Sequence, residues 1–244
     1  MNNYEKLEGM VAATFTPLDE NGDVNLSVID KYADWIASTP IKGIFVCGTT
    51  GEFSSLTIDE RKLILEKWLV SARKRFKVIA HVGSNCQRSA MELARHAAQV
   101  GADAIASIAP SFFKPGTVDE LVDFFAPICH SAAGLPFYYY NMPSITGVNL
   151  PVDKFLVEGK KKIPNLVGTK FTHNNLMEMG VCIELEQHRF EVLHGYDEIL
   201  ISGLAMGAVA GVGSTYNYIP NVYQAIFDSM KMNDLETARH NQIK

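Results

Sequence analysis

Short apolar runs alternate with helix-period patterns along the whole chain, and most of the runs turn polar at their last residues. Residues 11–15 form the first run, closed by Thr16-Pro17. A helix is predicted over residues 27–38, with Ile29, Tyr32, Ala33 and Ile36 on one face and Pro40 as its stop. Residues 43–47 form the second run. Thr57-Ile58-Asp59-Glu60 is a capping box opening a helix that carries Leu65, Trp68, Leu69, Ala72 and Phe76. After a third run at 78–82, Asn85 is the expected N-cap of a helix with Ala90, Leu93, Ala94 and Ala97 inward, ended by Gly101. The fourth run, 104–108, stops at Pro110, and Thr117-Val118-Asp119-Glu120 is a second capping box opening a helix to about Ala132. Runs at 137–140, 166–172, 190–194 and 208–212 follow, with helices expected near 152–157, 173–187, 197–206 and 220–230, and a further helical piece from Asp234.

Eight strand–helix units over residues 11–230 predict an α/β fold of the (β/α)8 or TIM-barrel type. Near-continuous apolar strands fit a parallel sheet buried on both faces. A doubly wound open sheet is the alternative, but it usually carries a glycine-rich turn after its first strand, where this chain has Thr16-Pro17-Leu18. Residues 1–217 are read as the barrel core, and 218–244 as its last helix and the start of a further helical segment.

Composition narrows the function classes. The chain of 244 residues is 47% hydrophobic and 20% charged, enough apolar content for a large core. A net charge of −5 argues against nucleic-acid binding, and no apolar stretch approaches the roughly 18 residues of a membrane span. Residues 1–6 lack a secretion-signal pattern, and Cys47, Cys86, Cys129 and Cys182 form no CxxC pair, so a reduced, cytoplasmic protein is expected. No histidines stand at metal-ligand spacing, and Glu92 and His96 read as a solvated helix pair, so no metal or cofactor is expected.

Reactive groups of a barrel sit at the C-terminal ends of its strands. Here those ends gather Thr14 and Thr16, Gly48-Thr49-Thr50-Gly51-Glu52, His81, Ser107, Tyr140-Asn141, Lys170 with Thr172, Gly195 to Glu198, and Gly213-Ser214-Thr215. Lys170 is the candidate nucleophile. Lysine ordinarily titrates near about 10.4, and desolvation brings such amines towards about 7–8, where the neutral form attacks a ketone to give an imine. A lysine paired with a buried carboxylate is the competing reading. Tyr140 is a candidate proton carrier; strand alternation puts it on one face with Tyr138 and leaves Tyr139 on the other. The Gly48-Thr49-Thr50-Gly51 turn is readable as an anion-binding concavity with two hydroxyls, or as a plain tight turn. Gly211-Val212-Gly213-Ser214 is a weaker candidate phosphate cradle.

Gly48-Thr49-Thr50-Gly51-Glu52, Tyr140-Asn141-Met142-Pro143, Gly168-Thr169-Lys170-Phe171-Thr172 and Gly195-Tyr196-Asp197-Glu198, in this order and spacing, resemble the dihydrodipicolinate synthase / N-acetylneuraminate lyase family of class I aldolases. The resemblance covers essentially the whole chain and is nearer the lyase branch. Synthases usually place an arginine two residues after the proline of the tyrosine motif, where this chain has Ile145, and a tyrosine in the loop after strand four, where it has Ser111-Phe112-Phe113. The resemblance implies that Lys170 forms the imine and Tyr140 shuttles the proton. It further implies that Thr49 and Thr50 hold the substrate carboxylate, and that Thr172, Gly195, Asp197, Glu198 and Ser214 bind sugar hydroxyls. The implied substrate is sialic acid, split to pyruvate and an amino sugar; other pyruvate-dependent aldol chemistry, or a non-catalytic keto-acid sensor, remains open. A homotetramer is implied, and further helices usually follow the barrel in the family, so the end at Lys244 is read as a truncated helical extension.

Overall fold

A computed structural model describes residues 5–132 and 134–244. Its eight strands, β1 (Gly9–Ala13), β2 (Gly43–Val46), β3 (Lys77–His81), β4 (Ala104–Ile108), β5 (Phe137–Asn141), β6 (Leu166–Phe171), β7 (Glu191–His194) and β8 (Ala210–Gly213), close into a barrel in sequence order. Every neighbouring pair is parallel, including β1 with β8. Helices α1 (Ile29–Ala37), α2 (Ile58–Ala72), α3 (Gln87–Val100), α4 (Val118–Ser131), α5 (Pro143–Thr146), α6 (Val152–Lys162), α7 (Leu176–Glu184), α8 (Leu200–Ala205), α9 (Pro220–Lys231) and α10 (Leu235–Gln242) fill the connections and the end of the chain. The open-sheet alternative is thereby excluded. Among the described residues no helix is long and apolar enough to cross a membrane.

Strand alternation sorts side chains into two cores. Val11, Phe45, Ile79, Ala106, Tyr138, Tyr140, Leu193 and Val212 fill the barrel interior. Tyr139 and Phe137 point outward into the layer under the helices, where Tyr139 packs 4.6 Å from the ring of Phe155 on α6. In register, Tyr138, Gly168 and Glu191 form one inner layer, and Tyr140, Lys170 and Leu193 form the layer above it. Gly168 has to be glycine, since a Cβ there would meet the Glu191 carbonyl oxygen at 1.9 Å.

Local details depart from the sequence pattern in instructive ways. The Thr57 capping box is complete, with Thr57 N–H donating to Glu60 at 2.7 Å and Glu60 N–H to the Thr57 hydroxyl at 3.2 Å. The second box is half formed: Thr117 caps Glu120 N–H, but the Glu120 carboxylate turns to Gly116 N–H. Asn85 caps nothing. The helix starts at Gln87, and the Asn85 side-chain oxygen accepts from Ser111 N–H at 2.7 Å, tying down the loop after β4. Helix α6 runs on to Lys162, past the expected 157, and Gly159 inside it lets Leu166 approach closely. Its last-turn lysine, Lys160, donates to the carbonyls of Pro164 and Leu166. Helix α7 begins late, where Asn175 accepts from Glu178 N–H, and the helix after β7 opens as a 3-10 turn at Asp197–Ile199.

The barrel floor carries a buried acid. Glu191 accepts hydrogen bonds from Leu7 N–H at 2.8 Å and from the Tyr138 hydroxyl at 2.9 Å. Burial pushes its carboxyl up to about 7, against the opposite pull of these two donors and of Lys6. Between about pH 4 and 7 the unfolded glutamate ionises while the folded one keeps its proton, so this group's contribution falls as pH rises. Urea unfolding across that interval is therefore expected to show Glu191→Gln flattening the pH dependence by about 3 kcal/mol relative to wild type. Parallel curves for the two proteins would mean that Glu191 titrates normally.

Candidate active site

The amine of Lys170 projects from the end of β6 into the upper inner layer. The residue is 5% exposed, and its Nζ lies 4.1 Å from the centroid of the Tyr140 ring and 4.5 Å from that of Phe45. Among the described residues no carboxylate pairs with it and it makes no hydrogen bond. The reading of Lys170 as the partner of a buried acid is therefore excluded among those residues.

Beside it stands the turn after β2. Cys47 leaves the strand with φ of 54°, a left-handed conformation that costs a non-glycine residue of order 1–3 kcal/mol and persists only when its surroundings enforce it. The enforcement is visible. His81, at the end of β3, donates from Nδ1 to the Cys47 carbonyl at 2.7 Å, and its Nε2 accepts from Ile108 N–H at 3.3 Å. A carbonyl only accepts and an amide N–H only donates, so the ring is neutral and of one tautomer. Burial, then the charge of Arg61, then that of Lys170, hold its pKa well below the usual histidine range. The far end of the turn is fixed by the Thr16 hydroxyl, which donates to the Gly51 carbonyl at 2.7 Å. A side chain at Gly48 would strike the Phe45 ring at 2.8 Å, so that glycine lets the turn lie on the ring beside Lys170.

The turn presents its hydroxyls to the tyrosine. Thr49 Oγ1 is 3.2 Å from the Tyr140 hydroxyl, which also reaches the Met142 sulfur at 3.0 Å. Thr50 is half-buried next to it, with no protein partner for its hydroxyl among the described residues. Lys170, Tyr140 and Thr49 are thus joined in one chain of contacts, with Thr50 alongside.

The opposite rim holds the remaining candidates, in different conditions. Thr172 is buried with its hydroxyl unpartnered and lying over Gly195, where a Cβ would come within 1.9 Å of it. Asp197 is largely committed to structure: its Oδ2 accepts from both the N–H and the hydroxyl of Thr215, locking the loop after β8 to the loop after β7. Glu198 is exposed, and partial burial of its carboxyl together with the neighbouring Asp197 charge raises its pKa. The Ser214 side chain is half-buried, and its carbonyl accepts from the Asn217 side chain at 2.7 Å. The Gly213 segment offers no cradle for a phosphate, because a Cβ on Gly213 would fall 2.6 Å from the Asp197 carboxylate oxygen.

Several residues that build the site carry no motif of their own. Phe45 reads in the sequence as one more apolar strand residue. Arg61, which gives no sign of an inward position on its helix, is buried under the turn, while Thr215, placed by the sequence among the strand-end hydroxyls, anchors Asp197. His81 stands at a predicted strand end, and that position was its only signal.

Residues 6–244 match the model of the Dihydrodipicolinate synthetase family. The N-acetylneuraminate lyase of Gallus gallus is 44% identical over 245 residues, covering 99% of this chain and 80% of that protein. The native structure of the N-acetylneuraminate lyase (sialic acid aldolase) of Aliivibrio salmonicida superposes with a TM-score of 0.95 at 39% identity, over 98% of this chain and 79% of that one. A catalytic lysine mutant of the Ruminococcus gnavus sialic acid aldolase gives a TM-score of 0.94 at 28% identity, over 100% of this chain and 79% of that one.

The Asp197–Thr215 contact separates a structural from a purely ligand-binding role. Asp197→Ala strands the part-buried Thr215 N–H and is expected to lower the unfolding free energy of the ligand-free protein by about 1–2 kcal/mol in urea titrations. An unchanged midpoint would show that Asp197 does not hold the two loops together.

Proposed function

The chain belongs to the dihydrodipicolinate synthetase family, and we propose that it is a class I aldolase cleaving N-acetylneuraminate to N-acetylmannosamine and pyruvate through an imine on Lys170. The observation that carries this reading is the unpaired Lys170 amine lying on the Tyr140 ring, with the Tyr140 hydroxyl 3.2 Å from Thr49 in the glycine turn. The shared name of the Gallus gallus and Aliivibrio salmonicida relatives supports the choice of substrate.

In this reading the open-chain keto acid enters with its carboxylate on Thr49 and Thr50, where the backbone of the turn and two hydroxyls stabilise the negative charge. Lys170 Nζ adds to the ketone carbon C2, and loss of water leaves a protonated imine. Tyr140, acting with the substrate carboxylate, takes the proton of the C4 hydroxyl. The C3–C4 bond then breaks, and its electron pair flows into the imine to give an enamine. The amino sugar leaves as the aldehyde. Protonation of C3 and hydrolysis of the imine release pyruvate and restore the amine. Thr172, Gly195, Asp197, Glu198 and Ser214 are the residues for the side on which the polyhydroxy tail would lie; Glu198 is the exposed carboxylate among them, and Thr172 brings a buried hydroxyl without a protein partner.

Ile145, 59% exposed on the rim, supports the lyase over the synthase, since it offers no charge for a second substrate carboxylate. Four free cysteines, three of them buried, support a reduced, cytoplasmic setting, and the family resemblance supports a homotetramer.

Treatment with pyruvate and borohydride is expected to add a stable mass to Lys170, and Lys170→Ala to abolish it. Tyr140→Phe should keep the pyruvate adduct while slowing N-acetylneuraminate cleavage by about 10²–10⁴-fold. An adduct elsewhere, or none, would remove the mechanism.

A further inference from the structure

Arg61 on α2 is 4% exposed, lies beneath the Cys47–Phe53 turn, and has no acid to pair with among the described residues. Its two terminal nitrogens donate to backbone carbonyls at the end of β3, to Gly83 at 2.9 Å and to His81 at 2.7 Å. Its Nε is buried without a partner, and the guanidinium lies 5.3 Å from the centroid of the Phe53 ring. The ionisable groups facing it do not compensate its charge. The Cys47 thiol is pushed up to about 11 by burial and stays neutral, and the His81 ring is neutral by its hydrogen bonds.

A buried charge without a counter-ion is costly, and carbonyl dipoles offset only part of that cost. The cost is sensible where a ligand brings the opposite charge. The turn directly above Arg61 carries Thr49 and Thr50, and Arg61 is linked to it through the His81 backbone and the imidazole bond to Cys47. We infer that Arg61 is a positioning residue for the substrate carboxylate: it fixes the turn through His81 and supplies, from below, the positive field that the bound carboxylate neutralises. This inference rests on the imine reading of Lys170.

The test compares two ketones of nearly the same size, the anionic pyruvate and the neutral pyruvamide, by the concentration of each giving half-maximal borohydride trapping on Lys170. In Arg61→Met the pyruvate value is expected to rise about tenfold and the pyruvamide value by less than about twofold. Arg61→Gln keeps a donor for one carbonyl, is expected to behave alike, and decides the matter should Arg61→Met fail to fold. Arg61→Lys, which retains a charge, should recover most of the preference for pyruvate. Equal shifts for both ketones in the neutral variants, or an Arg61→Lys protein as indifferent as they are, would reduce Arg61 to a packing role and overturn the inference. Failure of wild type to trap either ketone would instead overturn the imine reading, and the inference with it.

Discussion

A primary amine buried between two aromatic rings, with no carboxylate in reach among the described residues, constrains every strand around it. Lys170 can occupy that place only because alternation along β6 turns residues 168 and 170 inward while Phe171 packs outward under the helices. The layer below is closed by Gly168 against the Glu191 backbone. The layer itself is set by Phe45 and Tyr140, whose rings meet edge to face with centroids 5.6 Å apart. The acids that the barrel does bury are kept away from the amine: Glu191 is occupied on the floor by Leu7 and Tyr138, and Asp197 on the rim by Thr215. Leaving the amine unpaired is thus achieved by giving each buried carboxylate another partner.

The rim divides its work between two sides. The β2–β3 side is rigid and electropositive: a left-handed Cys47 is held by His81, His81 by Arg61, and the turn they support touches Tyr140 through Thr49. The β7–β8 side is built of short 3-10 turns that bring hydroxyls and carboxylates into one arc, with a buried Asp197 as the tie between loops. A hydroxyl-bearing turn next to the buried amine and a polar arc opposite suit the proposed ligand, with a carboxylate at one end and hydroxyls along the other. Shared anchoring also means that loss of Asp197 disturbs fold and site together, so ligand contacts cannot be read from activity alone.

Much of this was legible in the chain. β4 lies where its apolar run placed it, Gly101 ends α3 with φ of 85°, and the alternation of Tyr138, Tyr139 and Tyr140 separated the inner rings from the outer one. Lys170, Tyr140 and Thr49 meet as their strand-end positions implied. What escaped depends on tertiary partners. Asn85 looks like a cap, but the distant Ser111 N–H claims its oxygen. α6 runs past its expected end near Val157 to Lys162, and Gly159 within it marks the close approach of Leu166. Arg61 sits on a helix whose pattern gives no sign that one charged residue faces inward, and its role appears only when the ends of β3 and β2 are seen beside it. Glu191 likewise opens a short apolar run as a charge that would ordinarily face water.

The central claim is that the free Lys170 amine, the Tyr140 phenol and the Thr49-Thr50 turn form one site around a keto acid. A crystal structure of the protein soaked with pyruvate tests it most directly. The account predicts continuous density from Lys170 Nζ to the pyruvate C2 atom, with the carboxylate within hydrogen-bond distance of Thr49 and Thr50. Pyruvate bound elsewhere, or a Lys170 side chain swung out of the barrel to an acidic partner, would contradict it.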